Sequence, residues 1–239
     1  HMASLSDKAG FLISANFVKY AVGFTLPMLM VRVLDQRDYG TYQQLLLVSS
    51  MALSLLLLGL PSSIFFFYNR IEPAQRRALV CQTVGLMVGA GAVAALGIAA
   101  FTPLIARSMS NGDLPAILPL YAIAIGLTMG GEHLVAFMVA QNRYASAVAF
   151  ETGETFVRVA TLVAPILLGY GLRGLVLAAV LYAGVRFLVR NLRVLRSGTD
   201  PVRAWPPRAT WFVGEQVAYS LPLWASSIVG ALGGVLDRA

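Results

Sequence analysis

From Ala9 to Leu34 the chain is an almost unbroken apolar run, and the pattern then repeats with short polar interruptions. Apolar stretches follow at Thr41–Tyr68, Ala78–Ala106, Pro115–Gln141, Tyr144–Tyr170 and Leu172–Leu195, and a last one runs from Trp211 to Leu236. Each reaches or exceeds the roughly 20 residues that a helix needs to cross a bilayer. The pattern therefore predicts six complete membrane helices and a seventh at the end. Most connections are short: DQRDYG, NRIEPAQRR, RSMSNGD, QNR and GYGLRG. RSGTDPVRAWPPR is longer, basic and rich in proline, and reads as a boundary between two lobes. The expected organisation is a six-helix lobe over 3–196, a linker over 197–210 and the first helix of a second lobe over 211–239. A chain that stops at the end of that helix reads as truncated.

Composition agrees with this fold class, an all-α integral membrane bundle. The 239 residues are 58% hydrophobic and 12% charged, against about 25% charged in soluble domains. Mean hydropathy is +0.73. Lys and Arg outnumber Asp and Glu by 18 to 11, an excess that would suggest nucleic acid in a soluble protein. Here the positive-inside rule accounts for it without nucleic acid. Lys8, Arg70, Arg76, Arg77, Arg143, Arg190, Arg193, Arg196, Arg203 and Arg208 fall at one set of helix ends. Arg32, Arg37, Arg107, Arg173 and Arg238 fall at the other. That asymmetry puts the N-terminus and the linker on the cytoplasmic side. Cys81 is the single cysteine, so no disulfide forms within the chain. His1-Met2 looks like a cloning remnant, and the first apolar run is too long for a signal-peptide core of about 7–15 residues.

Soluble catalytic motifs are missing from this pattern. GAGAVA, from Gly89 to Ala94, matches a dinucleotide fingerprint on paper but sits inside an apolar span with no strand before it. It reads as a helix-packing surface. Gly85 and Gly89, Gly126 and Gly130, and Gly230 and Gly234 have the four-residue spacing that lets membrane helices approach closely. Glu132-His133 lacks the second histidine of a metalloprotease helix, and no nucleophile elbow, phosphate loop or metal cluster is present.

Charges within the apolar spans are the informative residues. At 1.5 Å per residue, Lys19, Glu132 and Glu154 all lie roughly 13–15 Å below the cytoplasmic end of their spans. Glu151, Glu154 and Arg158 share one face of the fifth helix, and Asn16, Lys19 and Gly23 one face of the first. Intramembrane ionisable groups usually mark a substrate or ion pathway, so Asn16, Lys19, Glu132, Glu151, Glu154 and Arg158 are the candidate cavity lining. The alternative is mutual neutralisation that locks helices together, for example Glu154 with Arg158 four residues on. Arg186, Arg190 and Arg193 form a stripe at the cytoplasmic end of the sixth helix, expected to snorkel to, or contact, anionic headgroups.

The order of segments resembles a known family. The passage VRVLDQRDYGTYQQLLLV, with Leu34, Tyr39, Gly40 and Tyr42 spaced L-x-x-x-x-Y-G-x-Y, is similar to the start of polysaccharide-biosynthesis flippases of the multidrug/oligosaccharidyl-lipid/polysaccharide exporter superfamily. LPSSIFFFYNR and YSLPLWASSIVGALGGVLDR also resemble that family, the latter the helix that opens its second lobe. The resemblance implies two six-helix lobes around a central cavity, with no catalytic residue and no metal. It implies movement of an undecaprenyl-pyrophosphate-linked oligosaccharide across a bacterial inner membrane by alternating access. Partners would be membrane lipid, the lipid-linked glycan and glycan-assembly proteins; no cofactor is called for beyond a coupling H+ or Na+. TLPM in the first span and SLPL in the seventh hint at the repeat. An ion-coupled drug exporter of the same superfamily is the main alternative. A non-transporting scaffold or a polytopic glycosyltransferase is the other. The acidic loop residues such a transferase would need, Asp35, Asp38, Glu72, Asp113 and Asp200, are scattered.

Overall fold

The computed structural model describes residues 28–196, apart from Leu29 and Leu58, and 213–236, with side chains of the last stretch described to Ser226. Among them every regular element is a helix: α1 Gln36–Leu56, α2 Leu60–Tyr68, α3 Pro73–Ala100, α4 Thr102–Ser108, α5 Leu114–Met129, α6 His133–Ala140, α7 Tyr144–Leu167, α8 Gly171–Arg196 and α9 Val213–Leu236. Asn16, Lys19, Gly23 and the 197–210 linker lie outside the described residues, as do the side chains at 230 and 234.

Three of the expected spans are broken rather than continuous. The second bends at Gly59, whose φ of 66° is the left-handed conformation that glycine adopts without a Cβ penalty. Pro61 then sits in the first turn of α2, where a missing N–H costs nothing. The third breaks at Phe101, ahead of Pro103 in the first turn of α4. The fourth breaks over Gly130, Gly131 and Glu132, between α5 and α6. Four stretches are long and apolar enough to cross a membrane: Gln36–Tyr68, Gln75–Ala100, Leu114–Ala140 and Gly171–Arg196. Helix α7 has 24 residues, enough length, but Glu151, Glu154 and Arg158 crowd its middle. Those three charges interrupt its apolar run, which the other four spans keep. The six-helix expectation thus stands at four qualifying spans among the described residues, beside charged α7 and α9.

Close helix packing rests on glycine, as expected at Gly126 and Gly130 but not at Gly85 and Gly89. A Cβ on Gly126 would stand 2.5 Å from the Gly91 carbonyl oxygen, so α3 and α5 touch backbone to backbone there. Gly85 and Gly89 face open space, and the contact falls instead on Gly91 of the GAGAVA run. Gly130 lies against the Phe187 ring of α8.

Basic residues group at two ends of the bundle. At one end Arg37 pairs with Asp113 at 2.5 Å, and Asn111 donates to Thr41 and Gln44 at 2.9 and 2.6 Å. At the other end Gln141 donates to the Tyr68 hydroxyl at 3.2 Å, and Arg76 lies over the Tyr68 ring. Asp35 caps α1 by accepting from the Asp38 N–H at 2.7 Å.

Helix α9 docks on α2 and α3 through a buried amide. The Gln216 side chain is fully buried; it donates to Ser63 at 2.9 Å and Thr83 at 2.7 Å, and accepts from Gln82 at 2.6 Å. Tyr219 stacks on Phe66 with ring centroids 4.2 Å apart, and the Trp224 indole donates to the Leu55 carbonyl at 2.8 Å. Apolar lipid cannot hydrate such groups, so each polar atom must find a protein partner.

Candidate functional site

A cavity of about 340 Å³ opens between α1, α5, α7 and α8. Glu132, Glu151, Glu154, Arg158, Arg186 and Arg190 all line it, together with the Tyr42, Tyr121 and Tyr182 rings. The helix break after Met129 puts Glu132 there. It also frees backbone carbonyls in the middle of a span, where hydrocarbon offers no donor. Arg190 donates to the Gly131 carbonyl at 3.0 Å, and Asn191 to the Gly130 carbonyl at 3.4 Å. The broken helix is thereby satisfied from α8.

Four charges close into a network around that break. Arg186 donates through Nη2 to Glu132 at 2.8 Å and through Nε to Glu154 at 3.4 Å. Arg190 grips Glu154 with both arms of its guanidinium, Nε at 2.8 Å and Nη2 on the other oxygen. Its Nη1 also reaches Glu132 at 3.5 Å. Such a fork on a carboxylate is the strong form of the ion pair, because geometry and charge act together. Two cations meet two anions, so the network is neutral.

These contacts redistribute the residues expected from the sequence. Arg190 was expected to reach headgroups, but its side chain is only 2% exposed and lies inside the network. Arg186, at 13%, is likewise held inside. Only Arg193 of the stripe is exposed, its guanidinium 4.6 Å above the Phe150 ring. The physical reason is that Glu132 and Glu154 sit on neighbouring elements at the same level, and a desolvated guanidinium takes the nearer carboxylate. Glu154 does not pair with Arg158 in its own helix; it reaches across to α8. Arg158 is left with no hydrogen bond or ion pair among the described residues, and its side chain is exposed to the cavity. Glu151 lines the same wall. The tyrosines were not anticipated, because in an apolar span a tyrosine reads as bulk rather than as part of a cavity wall.

Among the described residues no group of histidine, cysteine and carboxylates could hold a metal ion. His133 is buried, and neither ring nitrogen has a hydrogen-bond partner among the described residues.

The family model for polysaccharide biosynthesis proteins matches residues 5–239. The chain belongs to this family. No curated protein and no solved structure matches the chain significantly. Family membership and the apolar helices together make the chain a multi-pass membrane protein of polysaccharide biosynthesis. The charged cavity is therefore a feature of a membrane protein in that process.

Proposed function

We propose that this polysaccharide biosynthesis protein moves a lipid-linked oligosaccharide, carried on undecaprenyl pyrophosphate, from the inner to the outer leaflet of the bacterial inner membrane. Its helices would be the N-terminal lobe of an alternating-access transporter, with α9 opening the second lobe and no bond made or broken. The carrying observation is Arg158: a guanidinium with no ion pair among the described residues, facing a cavity within the membrane-spanning bundle. A bare cation there is costly unless an anion visits it, and a pyrophosphate is such an anion with bidentate geometry. The network is neutral within itself, so the charges it leaves on the described lining are Arg158 and Glu151. Asn16 and Lys19 of the first span would add to the same lining. The lipid chain would remain in the bilayer while the headgroup crosses through the cavity.

In this reading the end bearing Arg70, Arg143 and Arg196 faces the cytoplasm, in accord with the positive-inside rule. The drug-exporter alternative needs intramembrane carboxylates that exchange H+ or Na+. Two of the three in the cavity, Glu132 and Glu154, are already neutralised by arginine, which favours the flippase. The test is deletion of the gene in its own cell. Lipid-linked oligosaccharide should accumulate on the cytoplasmic leaflet while surface polysaccharide falls. Normal surface polysaccharide with lost drug resistance would reverse the assignment.

A further inference from the structure

A second concavity shares no residue with the central cavity. It is a groove of about 760 Å³ between α6, α7 and α8, at the end of the bundle where α7 begins and α8 finishes. Its walls are mostly apolar, with Met138 from α6, Phe150 from α7, and Val189 and Leu192 from α8, beside Gln141 and Ser146. Val189 and Leu192 are 41% and 46% exposed. Its rim carries Arg143, Arg193 and Arg196, all exposed, and no carboxylate lines it. The guanidinium groups of Arg143 and Arg196 have no ion pair among the described residues, and Arg193 rests on Phe150. Val189, Arg193 and Arg196 are spaced i, i+4, i+7, so apolar wall and cationic rim form one continuous face of α8.

We propose that this groove holds an anionic phospholipid, its phosphate between the three arginines and an acyl chain against Val189, Leu192 and Met138. The argument is complementarity in both halves. The arginines stand where the spans end, at headgroup level, and the exposed apolar wall runs from there into the hydrocarbon. A soluble anion would satisfy the rim and leave the wall bare; a neutral lipid would cover the wall and leave three cations unpaired. An anionic lipid does both. Basic pockets between membrane helices take such headgroups on the same physics. The occupant does not depend on what the central cavity carries.

The test is native mass spectrometry of the purified protein with added phosphatidylglycerol or phosphatidylcholine of identical acyl chains. Phosphatidylglycerol should be retained preferentially. The triple variant R143Q/R193Q/R196Q should lose about 100-fold in retention, at roughly fivefold for each arginine near a membrane surface. Arg77 and Arg107 are exposed outside the groove, and R77Q/R107Q should retain lipid as the parent does. Should the triple variant fail to fold, Leu192→Trp serves instead, because its ring fills the groove and should displace either lipid without touching the rim. Equal retention of the two lipids, or unchanged retention after either groove variant, overturns the proposal. So does displacement by millimolar inorganic phosphate alone, which would make the rim a site for a free anion.

Discussion

Glu154→Gln is the sharpest perturbation of the charge network. The substitution keeps the volume and removes one negative charge, leaving Arg186 and Arg190 to share Glu132 alone. Arg190 is the residue that suffers, since it is 2% exposed and its fork loses the carboxylate charge and one of its two acceptor oxygens. Breaking a buried ion pair by removing one partner costs about 3–5 kcal/mol. For a chain of this size each kcal/mol lowers the midpoint by about 2–4 °C, so a fall near 10 °C is expected. The assay is the fraction of purified protein that remains monodisperse on size-exclusion chromatography after heating in detergent.

The double variant Glu154→Gln/Arg190→Gln supplies the control. It restores a one-to-one balance, Arg186 with Glu132, and still offers an amide donor to the Gly131 carbonyl. At least half the lost stability should return, which is the non-additivity of groups acting as one unit. Arg193→Gln, on an exposed cation–π contact, should change stability by less than about 1 kcal/mol. If Glu154→Gln melts with the parent, or the double variant loses the sum of the singles, the network holds nothing together. The pairing seen around the helix break would then have no energetic weight.

Gly126→Val should destabilise by about 1–3 kcal/mol through forced separation of α3 and α5, whereas Gly85→Ala and Gly89→Ala, which meet open space, should melt with the parent. Arg158→Ala in the chromosomal gene should leave membrane abundance unchanged yet reduce surface polysaccharide strongly, with Arg158→Lys partly active; a parallel fall in abundance would make Arg158 structural. Single cysteines at Asn111 and Arg203, in a Cys81→Ser background, should label from opposite sides of the membrane, and labelling of both from the periplasm would invert the proposed topology. Gln216→Leu should loosen α9, because Ser63, Thr83 and Gln82 lose a buried partner; a cost near 1–3 kcal/mol is expected in the same heating assay.

Hydropathy locates spans but is blind to how a span is built. The run from Pro115 to Gln141 reads as one helix because apolarity continues across Gly130 and Gly131, and only the paired glycines mark the break. The same holds at Gly59, where GLP is the signal, and at Phe101, where TP follows. Depth counting along the helix axis put Glu132 and Glu154 in one layer, and both line the cavity. The place of Arg190 in the stripe at the end of its span put it near the headgroups. What position alone omits is the length of the side chain and the direction it leaves the helix. An arginine near an end can reach outward to phosphate or inward to a carboxylate, and a single sequence does not state which partner stands closer. That choice is made by packing. Once Gly91 and Gly126 bring α3 and α5 together, and the break turns Glu132 and two bare carbonyls toward α8, the inward path answers three polar groups at once. Arg193, one turn nearer the end, has Phe150 beside it rather than a carboxylate, and stays outside. One stripe of three arginines thus divides in two: Arg186 and Arg190 tie the helix break to α8, and Arg193 stays exposed over Phe150.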